Sequence, residues 1–257
     1  MKSFLTLVVG FGPLWTQGSL KLKDSIKVQN VGERVWIATD LEYFHSNVLI
    51  AGFKDGTVLI ASSPFERVGT KLLMNWVRRS LEPKKIIAIN THFHRDGTGG
   101  NHTYHKMGVE TWSSVLTKNL LEKEINKEPS LEHIAREDLR SRLRDSIQVF
   151  AKNLYELKKG KVFDFSGEKA HVYFPGHAHS PDNVVVYIPD RKVLFGGCMI
   201  KPRSLGYLKA ANIQNWPSAA QKLKRFGATL VVPGHGNWGG PELIDKTIEV
   251  AKKSAQP

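Results

Sequence analysis

A buried-type strand, Ile86-Ile87-Ala88-Ile89, runs directly into Asn90-Thr91-His92-Phe93-His94-Arg95-Asp96-Gly97-Thr98-Gly99-Gly100, and no other feature of the chain limits its fold as sharply. Two imidazoles and a carboxylate at alternate positions of an irregular turn are donors for a borderline metal such as zinc. Gly97, Gly99 and Gly100 let the backbone fold tightly beside them. Taken singly, His92 or His94 reads as a hydrogen-bonded core histidine and Asp96 as a helix cap. The three together read as part of a ligand set, and a fold that holds this turn must bring further donors to the end of the same strand.

Three such donors lie at similar places. Gly176-His177-Ala178-His179-Ser180-Pro181-Asp182-Asn183 precedes a strand, Phe195-Gly196-Gly197-Cys198 follows one, and Val232-Pro233-Gly234-His235-Gly236 follows another. Cys198 is the only cysteine, so no intramolecular disulfide holds the fold and a core, a metal or both must do so. Its compartment sharpens the point. Met1-Lys2-Ser3 is a short basic start, Phe4 to Trp15 is apolar but too short to span a bilayer, and Thr16-Gln17-Gly18 offers small residues for cleavage. We read Met1 to about Gly18 as a secretory signal and residues 19–257 as a single domain. An unpaired thiol in an oxidising compartment calls for burial or for a metal.

The remaining pattern is a meander followed by a helix, occurring twice. Strands are expected at Ile26–Gln29, Val35–Thr39, Asn47–Phe53 and Thr57–Ala61, with a helix over Arg67–Leu81 that Pro83 stops. From Ser113 to about Lys159 the apolar spacing is helical, broken near Pro129-Ser130, and predicts two helices or one kinked helix inserted between strands. Strands return at Lys161–Phe165, Ala170–Phe174, Asn183–Ile188, Lys192–Phe195 and Thr229–Val232. A helix opened by Trp216-Pro217 and closed by Gly227 precedes the last of these, and a helix over Glu242–Lys252 ends the chain. The expectation is an α+β fold of two mixed sheets face to face with helices outside. The formal charge of +13 is compatible with nucleic acid, an anionic surface or acidic small molecules, but the basic residues form no long run interleaved with aromatics, so no nucleic-acid partner is expected. No other segment is apolar enough for a membrane span.

Asn90–Gly100, Gly176–Asn183 and Phe195–Lys201, with Val231–His235, together resemble the class B metallo-β-lactamases, and the likeness extends over about Ile26–Ile248. The resemblance implies the αβ/βα sandwich of that family. It also implies a tri-histidine zinc site of His92, His94 and His179 and a second site of Asp96, Cys198 and His235, with one or two Zn2+ per chain. A zinc-bound water acidified towards about pH 7 would attack the β-lactam carbonyl. Asp96 would orient it, and Lys201 with the Asp-Cys-His zinc would take the substrate carboxylate and the leaving nitrogen. Tyr207 stands where the family commonly has a substrate-facing Asn. The implied protein is a periplasmic monomer whose partner is a small-molecule β-lactam.

Several departures bear on specificity. The broad-spectrum di-zinc subclass carries a long hairpin over the site, whereas here only a few residues join Thr39 to Asn47. The 113–159 segment and Gly240-Pro241-Glu242-Leu243-Ile244-Asp245 resemble the mono-zinc, carbapenem-selective subclass, which nevertheless has Asn in place of His92. Carbapenem preference is therefore expected, with zinc number left open. Arg95 fills a position that is often small, and Ala61-Ser62-Ser63 lacks a common acidic residue. His177 competes with His179 but has the wrong spacing, His102 and His105 fall on the following helix, and His45 sits in the short early loop. The alternatives are a thioester hydrolase or lactonase of the same fold, against which Gly97 and Cys198 speak, and a non-catalytic basic zinc-binding secreted protein. A structural zinc is normally closed by four protein ligands, whereas each set here has three.

Overall fold

Strand alternation does most of the architectural work. The computed structural model of the 257-residue chain describes residues 19–256 apart from 24, 126, 128–130, 132 and 133; the expected leader and the expected break at Pro129-Ser130 lie outside the described residues. Strands β1 (Ser19–Leu22), β2 (Ile26–Gly32), β3 (Val35–Asp40), β4 (Ser46–Gly52), β5 (Thr57–Ala61), β6 (Lys85–Ile89), β7 (Glu110–Ser114) and β8 (Asn153–Tyr155) pair in sequence order into one sheet. It is antiparallel up to β5 and parallel from β5 to β8. The second sheet has the order β13-β12-β11-β10-β9, with β9 (Lys161–Phe165), β10 (Glu168–Tyr173), β11 (Val185–Ile188), β12 (Val193–Gly197) and β13 (Leu230–Pro233). Only its β12–β13 pair is parallel.

In β4 and β5 every residue is buried, because both faces are covered. Leu49, Ala51, Leu59 and Ala61 face the second sheet, where they meet Phe163, Phe165, Val186 and Phe195. Val48, Ile50, Val58 and Ile60 face the other way, onto Leu73, Met74 and Val77 of α1 (Arg67–Leu81). A one-residue slip would exchange the two sets, so the register is set from both sides. The second sheet repeats the scheme: Val185, Tyr187, Leu194 and Val231 turn outward onto Trp216 and Ala220 of α6 (Trp216–Gln221) and Ile244 and Ile248 of α7 (Glu242–Ser254). The layers are thus helix, sheet, sheet, helix, as expected. Between β6 and β9 lie α2 (Arg95–Thr98), α3 (Asn101–Lys106), α4 (Val115–Glu124) and α5 (Glu137–Arg144).

The helical expectation for 113–159 holds only over α4 and α5. Ser113 and Ser114 close β7, a strand the apolar spacing did not reveal, and Asn153–Tyr155 is β8. Leu139 and Leu143 pack against Tyr43 and Ile134, but past Arg144 the same spacing carries no helix: Ile147 is 61% exposed. Local spacing lost to sheet pairing. Lys152 N–H donates to Thr111 Oγ1 at 3.0 Å and Asn153 Nδ2 to the Thr111 carbonyl at 3.2 Å, which draws the segment out along β7. α5 is fastened to the early turn instead, where Arg142 Nη2 lies 2.9 Å from Glu42 and Tyr43 Oη donates to the Leu139 carbonyl at 3.3 Å.

Phe195 is fully buried between the sheets. Phe195→Ala should lower the unfolding free energy by about 3–5 kcal/mol, read as an earlier midpoint in urea with an unchanged slope. A loss below about 1 kcal/mol would mean that the two sheets do not share this core.

Candidate metal centre

Six donors reach one edge of the sandwich because four chain segments turn there. His92 and His94 leave β6, Asp96 sits in α2, His179 lies between β10 and β11, Cys198 follows β12 and His235 follows β13. The turn after β6 is shaped by Asn90, whose Nδ2 donates to the Gly97 carbonyl at 2.8 Å and to Asn101 Oδ1 at 2.9 Å. A Cβ on Gly97 would collide with the His92 carbonyl, so the turn closes only with glycine there. The 176–183 loop is organised by Asn183, whose Oδ1 accepts from Ala178 N and Ser180 N at 3.0 Å each while its Nδ2 donates to the Gly176 carbonyl at 2.9 Å.

The donors fall into two groups. In the first, His94 Nδ1 is 3.0 Å from His179 Nε2, and the His92 ring centroid lies 4.9 Å from that of His94 and 5.2 Å from that of His179. In the second, Asp96 is the hub: Cys198 Sγ is 2.8 Å from Oδ2, His235 Nε2 is 3.3 Å from Oδ2, and His92 Nε2 is 3.3 Å from Oδ1. Donor atoms of His92, His94 and His179 lie within 4.8 Å of one another, as do those of His92, Asp96 and Cys198, the spacing a metal ion needs. His92 Nε2 is buried and makes no close hydrogen bond, its nearest partner being the Asp96 carboxylate at 3.3 Å; a cation bound by this imidazole would take the place of the proton that the carboxylate holds on the ring. Imidazole, carboxylate and thiolate together suit zinc, and three donors per group leave a coordination position free.

The electrostatics follow from burial and mutual charge. Burial would discharge His92, but the Asp96 carboxylate beside it holds its pKa well above the usual value. Burial likewise opposes the Asp96 charge, yet His92 and His235 keep that carboxyl well below the ordinary range. His94 is driven down to about 3 by burial and then by His92, and His179 is lowered by the same two causes. Both imidazoles are therefore neutral, each with one unprotonated ring nitrogen able to coordinate at neutral pH. Burial and Asp96 raise the Cys198 thiol, but Lys201 and His235 outweigh them and set it at about 7. Burial opposes the charge of His235, whereas Cys198 and Asp96 raise its pKa to about 9.

Support comes from groups that the sequence reading passed over. His235 Nδ1 meets the Phe44 carbonyl at 3.1 Å, which leaves Nε2 for the Asp96 side. Phe44 and His45 both take positive φ, 56° and 49°, so this turn is strained where it holds the histidine. Asn47 ties the sheets at the same edge: its backbone N–H donates to the Gly234 carbonyl at 2.8 Å and its Nδ2 to the Pro233 carbonyl at 3.0 Å. A polar residue opening an otherwise apolar buried strand was the available signal for Asn47. Nothing in a sequence marks the Phe44 carbonyl.

His94, Asp96, His179, Cys198 and His235 line a cavity of ≈ 1490 Å³, with His92 buried behind them. Lys201, Tyr207, Arg95 and His45 line it, with Leu121 of α4 and Leu143 of α5 forming part of the opposite wall. The Tyr207 ring stands 5.5 Å from that of His94, and Arg95 Nη1 donates to the Ser146 hydroxyl. The other histidines are not brought to the donors: His177 Nε2 bonds the Ala210 carbonyl at 2.8 Å and His105 Nε2 the Thr111 hydroxyl at 2.8 Å.

Residues 41–235 match the metallo-beta-lactamase superfamily. A metallo-beta-lactamase type 2 of Pseudomonas aeruginosa is 32% identical over 263 residues, covering 98% of this chain and 95% of that protein. One of Bacillus cereus is 30% identical and covers 89% and 83%. Among solved structures, a metallo-beta-lactamase from Pontibacter korlensis superposes with a TM-score of 0.74 at 29% identity, over 88% of this chain and 99% of that one. The chain therefore belongs to the metallo-beta-lactamase superfamily, as a hydrolase of β-lactams that uses one or two zinc ions.

Gly234 is a geometric test of the donor edge, since a Cβ there would come 2.6 Å from both the backbone N and the Sγ of Cys198. Gly234→Ala should cost about 1–3 kcal/mol of strain and lower zinc content after dialysis, measured by atomic absorption alongside thermal unfolding. Full zinc content with unchanged stability would show that Cys198 is not held at this position.

Proposed function

We propose that His92, His94 and His179 hold one zinc, that Asp96, Cys198 and His235 hold a second, and that this centre opens β-lactams with a preference for carbapenems. The observation that carries the reading is that the donor atoms of His92, His94 and His179, and those of His92, Asp96 and Cys198, lie close together, with His235 3.3 Å from Asp96, at a cavity that has Lys201 on its wall. Zinc, when bound, acidifies water and polarises the amide carbonyl. Asp96, whose carboxyl stays ionised, accepts a hydrogen bond from the attacking water and orients it. Lys201 binds the substrate carboxylate by a charge-assisted hydrogen bond and fixes the amide over the donors. Tyr207, beside His94, borders the substrate on the open side.

The carbapenem preference is supported by the walls. Turn residues 41–45, rather than a long hairpin, connect β3 to β4, and α4 with α5 closes the far side. A fixed, short-roofed pocket favours substrates with a small group on the lactam ring. No helix among the described residues is long and apolar enough to cross a membrane, and the reading keeps Met1 to about Gly18 as a secretory signal, residues 19–257 as one domain and the periplasm as its place.

The test is hydrolysis of a carbapenem and a cephalosporin while zinc is titrated into metal-free protein. Activity should vanish with chelator, return with zinc and favour the carbapenem; Cys198→Ser should cut turnover at least about a hundredfold with the fold intact. Zinc-loaded protein inert towards both substrates would overturn the reading. Equal turnover of the two would remove the preference alone.

A further inference from the structure

The cavity carries more positive charge than the reaction just described uses. Besides Lys201, it is lined by Arg203 and Lys209 of the loop after β12 and by Lys246 of α7. Its acidic lining is engaged elsewhere. Asp96 belongs to the metal donors, Glu124 lies 2.8 Å from Lys127, and Glu242 Oε1 accepts the Gly240 N–H at 3.0 Å. Asp245, next to Lys246 in sequence, is paired with Lys224. Among the described residues Arg203, Lys209 and Lys246 make no ion pair.

The backbone brings these three cations to the cavity from two neighbouring elements. Lys201 N–H donates to Thr247 Oγ1 at 2.9 Å, which pins the start of the loop to the turn of α7 that carries Lys246. Leu205, buried in the core, anchors the middle of the loop. The Tyr207 ring, 5.5 Å from His94, brings the far arm back over the donors, with Lys209 two residues on. Like charges without acidic partners around one cavity focus a positive potential into it. That arrangement is relieved by an anion.

We propose that Arg203, Lys209 and Lys246 form a second anion-recognition site, separate from Lys201 and the metal donors, which takes a further carboxylate carried on the side chain of the substrate. The inference rests on the reading of Lys201 as the holder of the ring carboxylate, and it makes doubly anionic β-lactams the favoured class. Space permits it, because ≈ 1490 Å³ exceeds the roughly 300–1,000 Å³ of an ordinary small-molecule pocket. The bland reading of three exposed cations is a solvated rim with a diffuse field. Such a rim would help every anion in proportion to its total charge and would not depend on these three positions.

The experiment compares a cephalosporin bearing a side-chain carboxylate with its side-chain methyl ester, so that the ring carboxylate is common to both. With zinc-loaded wild-type protein at low salt, kcat/KM should favour the dianion by about tenfold, mainly through KM, and 1 M sodium chloride should shrink the ratio to about two. In the triple variant Arg203→Gln, Lys209→Gln, Lys246→Gln the ratio should fall to about one. Calorimetric binding of the lactam-opened forms of the same two compounds, prepared near neutral pH with a serine β-lactamase so that the methyl ester survives, gives the ratio without turnover. It separates failure of this site from failure of the hydrolytic reading. A wild-type ratio near one in both measurements, or a tenfold ratio that survives in the triple variant, would overturn the proposal.

Discussion

Everything at the metal edge depends on the apolar contact between the two sheets. Leu49, Leu59, Phe163, Val186 and Phe195 hold the sheets face to face, and that contact brings the ends of β6, β12 and β13 to one side. Six donors from four segments then meet without any of the segments being long or rigid in itself. Burial supplies the organising force here, because two sheets each apolar on both faces have no alternative to a four-layer stack.

The same burial sets the chemistry. A carboxylate, a thiol and four imidazoles taken out of water would be costly singly, and each is stabilised only by the others. Asp96 sits at the hub, with its charge matched by His92 and His235, while His94 and His179 are kept neutral by burial and by the charge on His92. The outer partners are mostly backbone: the Phe44 carbonyl orients His235, and the Gly234 carbonyl is tied to Asn47. The price of this arrangement is visible in the two consecutive left-handed residues, Phe44 and His45.

The cavity has two kinds of wall. On one side α5 and the residues just after it are fixed by Arg142 to Glu42 and by Arg95 to Ser146, so this wall is coupled both to the early turn and to the turn that bears the candidate donors. On the other, the loop from Lys201 to Lys209 and the facing turn of α7 are exposed and cationic. On the proposed reading the helical wall would select by shape and the cationic one by the anions a substrate carries.

Read alone, the chain already marked the six candidate donors, the two-sheet class and most element positions, because donor chemistry at strand ends and period-two alternation are local properties that neighbours do not alter. His92, Asp96 and Cys198 could be picked out by residue type and spacing, and β4, β5, β10 and β11 by their apolar runs. Tertiary structure decided the rest. The apolar spacing past Arg144 is as helical as that of α5, yet pairing beside β7 made a strand of Asn153–Tyr155, since hydrogen bonds to an open sheet edge outweigh a helix with little to bury. The place of Arg95 and Tyr207 at the cavity, the Phe44 carbonyl on His235 and the presence of Arg203, Lys209 and Lys246 around the same cavity all arise between residues far apart in the chain. Their geometry exists only once the two sheets have closed on each other.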